Sequence, residues 1–374
     1  MKLKLSFVTA ALSVAFAAVP AIASADTATV DQSGSFNKAM VGQYYNGNAS
    51  AEIIQSGKHN DGYIYQSRNS SGTQSSINAS NANNEAVSEQ LNNRGGSVEI
   101  QQHGRSGDAF ARQSGNSNTT AVLHDYGNNN QSVITQSKNQ NSQATIQQWG
   151  DSGKSDATIE QSNSKNAVAS ITDGGWKNES VVEQNRANNS KANIALFGGS
   201  SHADASIAQN NVSNTTASIQ VAGYRQTSVI TQDNTANSNA QIEQFGSSND
   251  ATIEQTGSSG KRGGSDLLVA AIKQHNWNNK ATATQEGSNV NADITQYGNE
   301  QRGHTTQKGK NLDATILQAG KNHYASINQL GNNQQASVTQ YGNKNVATVV
   351  QRNNGQSAQV MQSGVRNVAS VTQH

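Results

Sequence analysis

The chain has 374 residues, of which 33% are hydrophobic and 5% aromatic, with a mean hydropathy of −0.72. Its 26 basic and 25 acidic side chains nearly cancel, which excludes a protein drawn to nucleic acid or to an anionic membrane by bulk charge. The polarity resides in Asn, Gln, Ser and Gly, a composition that is either unstructured or held by side-chain amide ladders in stacked strands.

The N-terminus reads as an export signal. Lys2 and Lys4 precede an apolar stretch from Leu5 to Val19, and Ala23-Ser24-Ala25 forms an A-x-A cleavage site. Cleavage between Ala25 and Asp26 starts the mature chain at Asp26. The apolar run is shorter than the ~20 residues a spanning helix needs, and no later stretch is apolar enough to cross a bilayer. Cysteine is absent although export would permit disulfides. The one proline, Pro20, lies inside the signal. A proline-free mature chain suits strands paired on both sides, because proline donates nothing to a ladder.

Residues 26–50 carry no clear repeat and read as a flexible N-terminal leader. From Ala51 a glutamine repeat begins irregularly, with Gln55, Gln66, Gln90, Gln102, Gln113, Gln136, Gln148, Gln161 and Gln184. Asp173 stands where a glutamine is expected, and His124 or Asp125 fills another such place. Gln209, Gln220, Gln232, Gln244 and Gln255 follow, and SSGKRGGSD (258–266) reads as an insertion forming a bulged turn. The repeat is irregular to about residue 265 and regular over 270–374. There Gln274, Gln285, Gln296, Gln307, Gln318, Gln329, Gln340, Gln351, Gln362 and Gln373 fall in one register of eleven. A fixed self-similar period signifies a stacked repeat architecture.

The unit itself reads as a strand followed by a turn. Ala314, Ile316 and Gln318 alternate and so share one face of a strand. Gly320, Gly331, Gly342 and Gly364 come two residues after their glutamines, followed by asparagine-rich residues, and both residue types tolerate the positive φ of turns. A helix is excluded by the β-branched residues and by glycines that recur within every period. Two units make one rung of about 22 residues. The predicted fold is therefore all-β, a parallel β-solenoid that is a flat two-sheet coil of strand-turn-strand-turn rungs, roughly 15 in number and about 70 Å long at the cross-β strand spacing. Inward glutamines are tolerable only in a column, where each amide bonds its copies above and below, since an unpaired buried amide costs ~1–3 kcal/mol.

The last unit matches the repeat nearly to His374, and no cap is expected after it. An uncapped, in-register edge is a template for another molecule, so head-to-tail polymerisation into a cross-β fibre is expected.

The segments QYGNKNVATVVQ (340–351), QSGVRNVASVTQ (362–373) and QFGSSNDATIEQ (244–255) have the form Q-x-G-x-x-N-x-A-x-x-x-Q. This pattern resembles the curlin repeat of curli, the extracellular amyloid fibres of bacterial biofilms. The motif positions are Gln244, Gly246, Asn249, Gln255, Gln340, Gly342, Asn345, Gln351, Gln362, Gly364, Asn367 and Gln373, whose role in the resemblance is structural stacking. The resemblance implies a secreted subunit on the bacterial cell surface that polymerises with itself for biofilm matrix, adhesion and cell aggregation. It also implies passage through a dedicated curli secretion pore, periplasmic chaperones and a surface-bound curlin nucleator as partners. The chain departs from the family in its larger number of repeats and at Gly303-His304-Thr305, which interrupts Ala-x-Ile before Gln307.

No enzyme is expected. The eight histidines show no H-x-x-x-H pair and read as exposed turn residues, the carboxylates are scattered, and no calcium-binding G-G-x-G-x-D repeat occurs. No cofactor, metal or nucleic-acid partner is expected. The aromatics just after glutamines (Trp149, Phe245, Tyr297, Tyr341) read first as cross-strand packing. The competing function is a capped monomeric solenoid adhesin, or a nucleator or minor curlin on the cell surface.

Overall fold

A computed structural model describes residues 26–149, 154–257 and 267–374. The signal segment up to Ala25 and the insertion at 258–266 lie outside the described residues. Every described element is a β-strand, 27 in all, and all the pairings between them are parallel. Over most of the chain each strand pairs with the strand one full turn away and not with its neighbour in sequence: Gln131–Ser137 pairs with Asp108–Ser114 below and Asp156–Ser162 above. The chain therefore winds as a flat coil of about 15 turns, a parallel β-solenoid.

Alternation builds the interior. In Gln131–Ser137 the burial alternates strictly, with Ser132, Ile134 and Gln136 buried and Val133 and Thr135 half-exposed. The facing strand Gln143–Gln148 buries Ala144, Ile146 and Gln148 in the same way. Register is set by these inward trios. Ile53, Ile77, Ile100, Leu123, Ile146, Ile171, Ile194, Ile219, Ile242 and Ile272 lie one above another along one sheet. A one-residue slip would turn this column to solvent, which is why the register holds.

Two features differ from the sequence reading. The stretch 26–50, expected as a flexible leader, contains the strands Thr27–Gln32 and Lys38–Tyr44, which pair in register with Ser50–Gln55 and Asp61–Ser67 and form the first turn. The turn is also not 22 residues throughout. Corresponding glutamines stand 23 apart at Gln43 and Gln66, 25 apart at Gln136 and Gln161, and 22 apart only from Gln274 onward. One extra residue of each earlier turn sits in the arc after the unbroken glutamine column, and the two further residues of a 25-residue turn sit in the opposite arc, as between Leu196 and Ala205. In the earlier turns the arc after the unbroken column holds two residues of positive φ three apart, as at Asn163 and Asn166, Asn211 and Asn214, or Asn234 and Asn237. In the later turns it holds a glycine and one asparagine, as at Gly309 and Asn311. The tighter arc lets the strand assignment run unbroken round a whole turn in Lys280–Asn299, Arg302–Lys321 and Tyr324–Asn343.

Candidate functional site: the amide columns

The interior carries two columns of glutamine, one per sheet. In one, Gln43, Gln66, Gln90, Gln113, Gln136, Gln161, Gln184, Gln209, Gln232, Gln255, Gln285, Gln307, Gln329, Gln351 and Gln373 form an unbroken series. Each Nε2 donates to the Oε1 of the next at 2.6 to 3.2 Å. The second amide hydrogen crosses the interior. Gln184 Nε2 donates to Val168 O at 3.3 Å, and Gln329 Nε2 to Asp313 O at 3.0 Å. One amide thus spans the two sheets and the axial direction at once, which meets its donor capacity in a buried site.

The second column is broken. Gln32 donates to Gln55, and the series Gln244, Gln274, Gln296, Gln318, Gln340, Gln362 is continuous at 2.7 to 2.9 Å. Between them Ala79, Gln102, Asp125, Gln148, Asp173, Leu196 and Val221 occupy the column. Val221, not Gln220, pairs with Gln244; Gln220 lies on the outer face opposite Glu243. The apparent eleven-residue spacing from Gln209 misplaces it by one because this arc is longer. At the other ambiguous place Asp125 is the buried residue and His124 faces outward beside Glu99.

Both buried acids are held by the same small cradle. Asp125 Oδ1 accepts from Gly127 N at 3.0 Å and Asn130 Nδ2 at 2.8 Å. Asp173 Oδ1 accepts from Gly175 N at 2.9 Å and Asn178 Nδ2 at 2.8 Å. Burial pushes both carboxyls above the ordinary carboxylate range, against these hydrogen bonds, which pull the other way. Ser155 also favours the Asp173 carboxylate, yet no hydrogen bond of ordinary geometry reaches Asp173 Oδ2.

A third column closes the arc that follows the broken glutamine series. Asn249, Asn279, Gln301, His323, Asn345 and Asn367 stack there. Asn279 N donates to Asn249 Oδ1 at 3.0 Å, Gln301 N to Asn279 Oδ1 at 3.1 Å and Asn367 N to Asn345 Oδ1 at 2.9 Å. Each side-chain amide also bonds back across its arc, Asn345 Nδ2 to Tyr341 O at 2.8 Å and Asn367 Nδ2 to Ser363 O at 2.8 Å. His323 differs from the expectation of exposed histidines. It is buried in this column, with Nδ1 facing Asn345 N at 3.3 Å and Nε2 facing Ala319 O at 3.2 Å. That geometry assigns the proton to Nε2, and burial lowers the pKa of the ring. The signal was legible: His323 stands five residues after Gln318, the place Asn345 holds after Gln340.

The turn glycines have a contact reason as well as a conformational one. Gly246, Gly320, Gly331, Gly342 and Gly364 have φ of 120°, 134°, 140°, 106° and 111°, accessible to glycine without strain. A Cβ on Gly331 would lie 1.8 Å from Asn353 O, and one on Gly320 2.0 Å from Gly342 O. At Gly246, Gly320, Gly331 and Gly342 the stacked turn leaves no room for a Cβ, although Asn276 holds the place of Gly246 in its own turn. At Gly364 nothing closer than Asn367 Nδ2 at 3.5 Å opposes a Cβ. Asp26, expected as the first mature residue, accepts from Ala49 N at 2.9 Å.

These features define a class, a parallel β-solenoid whose interior is organised by continuous side-chain amide columns. Within it, the family model described as the curlin associated repeat matches residues 303–331. The matched segment includes Gly303-His304-Thr305, where Gly303 and Thr305 keep the inward places of Ala and Ile and His304 faces out. No curated protein matches the chain. Among the described residues no group of three or more His, Asp or Glu side chains is placed to hold a metal ion, and no helix is long and apolar enough to cross a membrane.

Proposed function

We propose that this chain is a secreted structural subunit that assembles head to tail into an extracellular cross-β fibre, serving the biofilm matrix, surface adhesion and cell aggregation. The observation that carries the reading is the polarity of the glutamine columns. Gln32 and Gln43 begin them with Oε1 atoms that receive no glutamine from below, and Gln362 and Gln373 end them with Nε2 groups that have no glutamine above. A second copy placed on the axis brings donor to acceptor in both columns. It also pairs the free edge of Val368–Gln373, bonded on one side to Val346–Asn354, with that of Lys38–Tyr44.

The curlin repeat supports the same reading, and with it export after cleavage at Ala25, a secretion pore, chaperones and a nucleator as partners. In this role the interior glutamines, asparagines and glycines stack; they carry no chemistry. The test is dilution of the chain from Asp26 out of denaturant, followed by thioflavin fluorescence with and without preformed seeds. A lag that seeds abolish, with fibres diffracting near 4.7 Å, is the expected result. A folded monomer that ignores seeds would overturn the reading and favour a monomeric adhesin.

A further inference from the structure

The two edges of the solenoid are chemically unlike. On the edge that follows the broken glutamine column, hydrogen bonds from Trp149 N to Asp173 O, Gly174 N to Leu196 O and Phe197 N to Val221 O place Trp149, Gly174, Phe197 and Ala222 in one axial file. The strand pairings continue it through Phe245, His275, Tyr297, Ala319, Tyr341 and Ser363. From Trp149 onward large rings therefore occupy every second turn, with Gly174, Ala222, Ala319 and Ser363 between them and His275 the one exception in that stretch; before it the file carries His103 and Tyr126 on consecutive turns. A neighbouring file on the same edge runs Trp176, Ser201, Tyr224, Ser247, Trp277, with its rings on the intervening turns. Trp149, Phe197, Tyr297, Tyr341, Trp176, Tyr224 and Trp277 are 40–47% exposed, and Phe245 is half-buried. The opposite edge at the same turns is a polar ladder, Ser162 to Asn185 to Asn210 to Asp233, bonded at 3.0 to 3.2 Å.

The spaces over Ala222 and Ala319 are slots. Each lies between two rings two turns apart, roughly 9–10 Å at the strand spacing. The molecule itself shows what such a slot holds. At the equivalent place between Phe245 and Tyr297, the His275 ring is stacked with centroids 5.3 and 5.1 Å from its neighbours, within the range of favourable aromatic pairs. At Ala222 and Ala319 no side chain of the file fills the space.

We propose that this aromatic edge is a lateral docking surface for a second copy of the same chain, whose rings enter the slots over Ala222 and Ala319 while its own slots receive Phe245 and Tyr341. The argument for a second copy is commensurability. A ring array with a period of two strand spacings stays in step over many turns only with a partner of the same period, and a displacement by one turn places each ring from Trp149 onward opposite a small residue, save the one that meets His275. A partner with another repeat would drift out of step within a few turns. The contact is side to side, so it does not rest on axial polymerisation.

The chain has three tryptophans, Trp149, Trp176 and Trp277, all on this edge; their emission reports its burial, whereas axial stacking leaves the edge exposed. The experiment measures tryptophan emission and sedimentation of the chain from Asp26 across a concentration series. The wild type should shift to shorter wavelength as side-to-side complexes form. The double variant Ala222→Phe/Ala319→Phe, which fills the slots from within as His275 does, should lose the shift although it adds apolar surface. Phe245→Ala/Tyr341→Ala, which removes the inserting rings and keeps all three tryptophans, should lose it too. An emission that does not change with concentration, or a shift undiminished in the slot-filled variant, would overturn the proposal. So would a shift that appears only when soluble β-glucan oligomers are added, which would assign the edge to a polysaccharide.

Discussion

Gln184 illustrates what a residue contributes here. It accepts from Gln161 at 2.7 Å, donates to Gln209 at 2.7 Å and reaches Val168 O across the interior. Replacing it with leucine keeps the volume but leaves a donor below, an acceptor above and a carbonyl opposite without partners, each costing ~1–3 kcal/mol. Gln184→Leu is expected to lower local stability by about 3–5 kcal/mol, read as faster amide exchange in Glu179–Asn185 and its two paired strands. The buried acids have the opposite character. The folded-state pKa of Asp173 is raised by burial, so between its unfolded and folded values the native chain binds more protons, and stability falls as pH rises through that window. Asp125 acts with the same sign. Asp173→Asn retains an acceptor for Gly175 N and Asn178, and is expected to raise the protection of Val168–Asp173 at neutral pH. It should also flatten the fall in protection seen as pH rises from the ordinary carboxylate range. Equal protection in variant and wild type at neutral pH would remove the acid as a local weak point.

At the scale of the element, the strand is a short alternating block and the arc sets the turn length. Ala-x-Ile-x-Gln identified the inward face from the residues alone, because a period of two has only one apolar solution. The arcs were less legible. Asn163 and Asn166, or Asn211 and Asn214, mark positive-φ positions three apart, a spacing that predicts the longer arc, but the eleven-residue glutamine period masks it. Gln220 was misplaced for that reason. The glycine arcs make a sharper prediction. At Gly331 a side chain meets both positive φ and a carbonyl 1.8 Å from its Cβ. Gly331→Ala should therefore separate two turns locally and cost about 2–4 kcal/mol, the range of strained backbone added to lost hydrogen bonds. Exchange should rise in Tyr324–Asn343 and Val346–Asn354 and stay unchanged near Gln131–Ser137, since stability in a stacked repeat is local.

The whole molecule is a rod, and its ends behave unlike its middle. Gly364 has the same positive φ as the interior glycines but no carbonyl over it. In a head-to-tail fibre it would meet the arc of the next copy at Gly34, which already stacks on Gly57. Gly364→Ala is thus expected to cost the single molecule only backbone strain, about 1–2 kcal/mol, while strongly slowing seeded elongation. Normal growth on wild-type seeds would argue against axial stacking at that end.

The sequence by itself determined the strand, its inward face and the stacking of turns, because a two-residue alternation and an eleven-residue glutamine period admit only one arrangement that pairs every buried amide. The trios Ala28-Val30-Gln32 and Ala39-Val41-Gln43, which the reading of residues 26–50 as a leader did not use, repeat the inward pattern eleven residues apart and place 27–44 in the coil. The sequence did not reveal the aromatic edge. Phe197, Phe245, Tyr297 and Tyr341 stand 48, 52 and 44 residues apart, and only the differing lengths of the turns, resolved in three dimensions, bring them into one file two turns apart.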